Sequence, residues 1–284
     1  MTADEKILLN DRLTSADEAC ICPLDRGFLY GEGFFETTRV FAGRPFALSM
    51  HLERLQHSCE WAEWDRVPRR ARIERGVERL IEANDVRDGY LRISVSQGSR
   101  AGEELTLLIQ AHDLDLPPPG EAELITLSKA EAARAEDDPL VAHKSLSYCR
   151  NILSLRRAKN AGADEVYFLN HAGQLAEGAI SNLFFVRGET VHTPAVNCGL
   201  LPGIARKLVL QLCRRHNIAF RTGKYLQTAL MECDEAFCTN SLRGIMPVSG
   251  LLDGTDLRPA PGELTSTLQA LYAERVRMEC AEGP

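Results

Sequence analysis

The sequence predicts a mixed α/β protein of two domains, on three observations. Strand-like alternation and helix-like apolar spacing both occur in each half of the chain. A proline-rich breaker, HDLDLPPPGEAE, separates the halves. Three consecutive prolines and a glycine cannot continue a helix or a central strand, so the linker is expected at about residues 113–120, between an N-terminal α/β domain over 1–115 and a C-terminal α/β domain over 116–284. Third, 284 residues with 44% hydrophobic and 26% charged side chains are the size and composition of a soluble globular chain of one large or two moderate domains.

The elements follow in order. Phe35, Thr37, Arg39 and Phe41 alternate with Glu36, Thr38 and Val40, a β pattern, and Ala42-Gly43 suits a hairpin turn. Leu48, Leu52, Leu55, Cys59 and Ala62 recur at helical spacing, with Ser49 as the expected N-cap. A second helix is expected from Pro68, with Ile73, Val77, Leu80 and Ile81 on its apolar face. Leu91, Ile93 and Val95 alternate, and Leu105–Ile109 reads as a further strand. The second half offers a strand at 124–127, a helix over about 146–160, strands at 165–169 and 180–186 joined through the turn Asn170-His171-Ala172-Gly173, and a helix from Ile204 to Arg215.

Charge and composition exclude several functions. A net charge of −7 and a pI near 5.6 lack the basic face a nucleic-acid binder needs. No apolar run approaches the ~20 residues that span a bilayer, and the acidic N-terminus is no signal peptide. The nine cysteines are scattered and form no C-x-x-C pair, which argues against zinc or a disulfide framework and for reduced thiols in a cytoplasmic protein. The seven histidines show no metal-ligand spacing; His51, His57 and His112 read as surface or packing residues.

Five segments are candidates for chemistry: HLERL with Arg54, AHKSLSYCRNIL with Lys144, QLAEGAISNLFFV with Glu177, GLLPGIARKL, and FCTNSLRGIMPV. Each has an ordinary reading alone: a solvated lysine or arginine, a turn glutamate, a helix start, a strand end. Together, in this order and spacing, and with PLDRGFLYGEGFFETTRVFAGRPF before them, they resemble the fold type IV family of pyridoxal-5′-phosphate (PLP) enzymes, also called class IV aminotransferases, from about Pro23 to Val248.

The resemblance implies a role for each residue. Lys144 matches the lysine that forms the Schiff base with PLP and, once displaced, acts as general base. Glu177 matches the carboxylate beside the pyridine nitrogen, keeping it protonated. Arg54 matches the phosphate-binding arginine. Ile204 and Ala205 match the helix N-terminus that holds the phosphate, and Asn240 and Ser241 the remaining phosphate contacts. Asn182 has only a supporting place in the motif, and Tyr148 lies either near the cofactor or in helix packing. Gly31 and Gly33 suit a bulge or close strand packing; the resemblance adds that their strand approaches the substrate. It also implies a homodimer.

Within the family, FETTRVFAGRPF, HLERL, KSLSYCRNIL and TNSLRGIMPV are closest to the 4-amino-4-deoxychorismate lyase branch. That branch implies elimination of pyruvate to give 4-aminobenzoate, a folate-pathway reaction. The alternatives are an aminotransferase acting on branched-chain or D-amino acids, and a PLP-binding protein without turnover. Gln97 stands where an arginine commonly traps a substrate carboxylate, with Arg100 nearby, so that partner is left open.

Overall fold

The computed structural model describes residues 5–99, 104–121, 123–252, 254–257 and 260–281; Arg100 lies outside them. The chain forms two compact units. One comprises Met1–Asp115, Lys144–Tyr148 and Met278–Pro284, the other Leu116–His143 and Cys149–Arg277. The second unit thus differs from a continuous domain over 116–284: it is interrupted once, at Lys144–Tyr148, and ends at Arg277.

The first unit is built on a six-stranded antiparallel sheet in the order β2-β1-β6-β5-β3-β4. Its strands are β1 Lys6–Leu9, β2 Arg12–Ser15, β3 Gly33–Phe41, β4 Arg44–Pro45, β5 Gly89–Ser96 and β6 Thr106–Asp113. Ala42 and Gly43, at φ 48° and 78°, turn β3 into β4, as a two-residue hairpin with positive φ at both positions requires. Helix α1 spans Arg26–Tyr30, α2 Leu48–Trp61 and α3 Arg70–Ala83. Leu8, Leu80, Leu91, Ile93, Leu107 and Ile109 are fully buried and form the centre of this core.

Two local expectations change here. Ser49 does not cap α2; the cap position is Ala47, in the left-handed region with no side-chain bond, and its N–H donates to Glu279 Oε1 at 2.8 Å. β3 is buried on nearly every residue rather than on alternate ones, so both of its faces are covered; α2 packs against it. The segment Lys144–Tyr148 joins this unit by pairing with the start of β3: Phe35 N donates to Lys144 O at 2.8 Å and Leu146 N to Gly33 O at 2.9 Å. A Cβ on Gly33 would meet the Leu146 side chain, so the glycine serves this close approach.

The second unit holds a mixed seven-stranded sheet in the order β11-β10-β9-β12-β13-β7-β8. Its strands are β7 Ile125–Lys129, β8 Glu165–Tyr167, β9 Asn182–Arg187, β10 Thr190–Pro194, β11 Ala219–Gly223, β12 Glu235–Asn240 and β13 Gly244–Leu251. Helix α4 covers Cys149–Asn160, α5 Ile204–Arg215, α6 Thr228–Met231 and α7 Glu263–Ala281. One core cluster includes Leu127, Tyr167, Leu183, Phe185, Cys238 and Met246; a second holds Ala158, Val166, Phe168 and Ala176. Helix α5 packs on β11 and β12 through Leu208, Val209, Leu212 and Cys213, all buried. Among the described residues no helix is long and apolar enough to cross a membrane.

Candidate active site

Lys144 sits on an extended stretch that ends where α4 begins. Its Nζ lies over the Phe35 ring, 4.4 Å from the centroid, and 5.2 Å from that of Tyr148. Phe35 and Tyr148 meet edge to face at 5.2 Å. Tyr148 is therefore a neighbour of the lysine. Arg92 of β5 lies over the same Phe35 ring at 3.8 Å and donates from Nε to Ser94 Oγ at 3.1 Å. Both cations are drawn to the negative face of the aromatic ring.

On α2, Arg54 is paired with a carboxylate. Its Nε and Nη2 donate to Glu36 Oε1 and Oε2 at 2.8 and 2.7 Å, a two-pronged arrangement suited to the planar guanidinium. His51, one helical turn before Arg54, brings Nδ1 to 2.7 Å from Glu36 Oε2. Burial pushes the Glu36 carboxyl up, but the Arg54 charge and the hydrogen bonds from Arg54 and His51 outweigh it and hold the pKa at about 2. An ionised Glu36 only accepts, so His51 Nδ1 donates. Burial pushes the His51 pKa down, against the hydrogen bond and charge of Glu36, and the charges of Arg54 and Lys144 push the same way as burial. The imidazole is thus a neutral prop rather than a surface group.

In the second unit, Glu177 stands at the head of the loop that leads into β9. Its Oε1 pairs with Arg134 Nη2 at 2.9 Å. Its Oε2 accepts from Leu201 N at 3.0 Å and faces Asn182 Nδ2 at 3.5 Å. Asn182 Nδ2 also donates to Leu201 O at 2.9 Å. Gly203 is the N-cap of α5 and gives it no side-chain cap; a Cβ there would collide with Asn182 Oδ1. The first N–H groups of a helix have no partner within it, so Ile204 and Ala205, both buried, open α5 with N–H groups of the kind that can receive an anion.

Beside that end, Thr239 pairs in register with Asn182, and its buried Oγ1 has no hydrogen-bond partner among the described residues. A buried hydroxyl without a partner costs about 1–3 kcal/mol, so it suits an incoming acceptor such as a phosphate oxygen. Asn240 closes the turn after β12. Its Oδ1 accepts from Leu242 N and Arg243 N at 3.1 and 2.8 Å, closing the turn in which Ser241 stands. The Asn240 side-chain oxygen is therefore spent on the backbone. The donors present, namely the α5 N-terminus and the Thr239 hydroxyl, fit a phosphate monoester.

The sequence reading missed Glu36, His51, Arg134 and Thr239. Glu36 and Arg134 carry charge, which reads as surface in any pattern; for Thr239 the only signal was its place before Asn240 in the T-N-S motif.

The amino-transferase class IV family model matches residues 33–251. The aminodeoxychorismate lyase of Bacillus subtilis is 30% identical over 95% of this chain and 94% of its own length. The D-alanine aminotransferase of Bacillus licheniformis is 28% identical over 98% of this chain and 99% of its own. The branched-chain aminotransferase of Thermoproteus uzoniensis, solved with norvaline, superposes with a TM-score of 0.88 at 25% identity, covering 98% of this chain and 96% of that one.

Proposed function

Because the chain belongs to the class IV aminotransferase family, a family of PLP-dependent enzymes, we propose that it binds PLP and acts as a 4-amino-4-deoxychorismate lyase. The observation that carries the lyase reading is the similarity to the Bacillus subtilis aminodeoxychorismate lyase along nearly the whole of both chains. The unpartnered Thr239 hydroxyl beside the start of α5 supports the cofactor's phosphate.

Bound PLP supplies an aldehyde that condenses with amines and a ring that accepts the electrons released when a neighbouring C–H bond breaks. The protein's residues do the rest. Lys144 holds the cofactor covalently, yields to the substrate amine, and then takes the proton from the amine-bearing carbon. The enolpyruvyl C–O bond breaks, the proton that Lys144 took would go to the departing enolpyruvate to give pyruvate, and the Lys144 amine would then take back its place and release 4-aminobenzoate. Glu177 keeps the ring nitrogen protonated. Arg54, the N–H groups of Ile204 and Ala205, Thr239, and the turn carrying Asn240 and Ser241 hold the phosphate. Glu36 accepts from Arg54 Nε and Nη2, which fixes the direction in which the guanidinium points. With Gln97 in place of the common arginine, Arg92 is the cation suited to a substrate carboxylate, since it shares the Phe35 ring with Lys144.

The decisive assay supplies 4-amino-4-deoxychorismate and measures pyruvate and 4-aminobenzoate. Equimolar products are expected. Faster transfer from D-alanine or a branched-chain amino acid to a 2-keto acid, with no aminobenzoate formed, would replace the lyase reading with the aminotransferase one. The protein is taken to act as a cytoplasmic homodimer; the exposed side chains of Ile21, Leu24, Phe28, Leu29 and Tyr30 form the kind of apolar stretch a partner copy covers. Light scattering giving one chain per particle would refute this.

A further inference from the structure

Arg134 is a buried cation with no part in the reaction proposed above, yet it is wired to Glu177. Its Nη2 reaches Glu177 Oε1 at 2.9 Å, its Nη1 donates to Asn151 Oδ1 at 3.2 Å, and its guanidinium lies over the Phe168 ring at 4.3 Å. Asn151 Nδ2 in turn donates to Ala179 O at 2.6 Å. The same asparagine therefore fixes both Arg134 and the loop that follows Glu177.

Glu165 clamps that loop from a second direction. Its carboxylate accepts from Ala179 N at 3.0 Å, Ile180 N at 3.2 Å and Ser181 Oγ at 2.8 Å. With Leu201 N on the other oxygen, Glu177 has both carboxylate oxygens engaged and its backbone pinned. A carboxylate so held cannot turn to follow a ligand, so its direction is set by these contacts.

Stability alone does not explain the arrangement. A buried ion pair is often no better than apolar residues of the same volume. Arg134 Nε is also buried without a hydrogen-bond partner, which adds a desolvation cost. What the pair supplies is orientation.

We propose that Arg134, held by Asn151 and Phe168, is a positioning residue that aims the Glu177 carboxylate at the cofactor's ring nitrogen. The proposal rests on the reading of Glu177 given above. It assigns Arg134 a measurable property, the ability of the protein to tell a ring nitrogen from a ring carbon.

The test titrates apo-protein with PLP and with its 1-deaza analogue, in which carbon replaces that nitrogen. Wild type should bind PLP more tightly, and Glu177→Gln should abolish the preference. Arg134→Met should reduce the ratio of the two dissociation constants by about tenfold, the scale of one charge-assisted contact misplaced. Arg134→Lys should recover part of the ratio, and Asn151→Ala should lower it less than Arg134→Met does. A general loss of packing would weaken both ligands equally and leave the ratio unchanged. If Arg134→Met does not fold, the lysine and Asn151 variants carry the same test. A wild-type ratio in all folded Arg134 and Asn151 variants overturns the proposal. Absence of any preference in wild type refutes the Glu177 reading itself, and with it the role of Arg134.

Discussion

Replacing Arg54 with alanine should damage the protein in two separable ways, and the structure sets the size of the first. Arg54 is the main counter-charge of Glu36, whose side chain is 2% exposed. The Glu36 pKa is lowered from 4.5 to about 2, which corresponds to on the order of 3 kcal/mol at 1.36 kcal/mol per unit. Part of that belongs to His51. Removing one member of a buried pair also strands the other, which typically costs about 3–5 kcal/mol. Apo Arg54→Ala is therefore expected to be about 3 kcal/mol less stable than wild type at pH 7, read from urea unfolding. Because the folded pKa of Glu36 lies below its unfolded value, its stabilising contribution is complete above about pH 4.5 and is lost as the pH falls toward 2. The gap between wild type and variant should narrow over that window. Adding Glu36→Gln to the variant should recover more than half the loss, since no charge then remains stranded. The second effect is on the cofactor. Under the proposed assignment of Arg54 to the phosphate, its loss should cost about 2–4 kcal/mol of PLP binding, roughly a thirtyfold to thousandfold rise in Kd, measured where the apo-variant is folded. An unchanged apo stability would refute the buried-pair argument. An unchanged Kd would mean that Arg54 serves Glu36 alone.

Three further outcomes are expected. Lys144→Ala should lose nearly all turnover, and borohydride reduction of wild type with PLP, followed by peptide mapping, should mark Lys144; a mark on another lysine would overturn its assignment. Gly203→Ala places a methyl group against Asn182 Oδ1, and such overpacking costs about 1–3 kcal/mol; urea unfolding with unchanged stability, together with unchanged PLP affinity, would show that the α5 entry adapts freely. Thr239→Val removes a hydroxyl that has no partner, so apo stability should hold or rise while Kd for PLP rises about fivefold, the worth of one neutral hydrogen bond of about 1 kcal/mol; an unchanged Kd would remove Thr239 from the phosphate site.

Local physics made part of this protein legible from its sequence. The apolar spacing from Leu48 to Cys59 is α2 within a residue or two, because a helix buries one face at a fixed period. Ala42-Gly43 marks the β3–β4 turn because few residues suit its positive φ angles, and Leu-Pro-Gly marks the entry to α5, where Gly203 leaves room for Asn182 Oδ1. The motif spacing pointed to Lys144 and Glu177. Tertiary structure alone decided what those residues touch. The pairing of Lys144–Tyr148 with β3 joins segments more than a hundred residues apart, and no periodicity encodes such a register. Glu36 with Arg54 and His51, and Glu177 with Arg134 and Asn151, are charges taken out of water. A charged residue reads as solvated until its partner is known, since only the partner's proximity in a low dielectric offsets the cost of burying it.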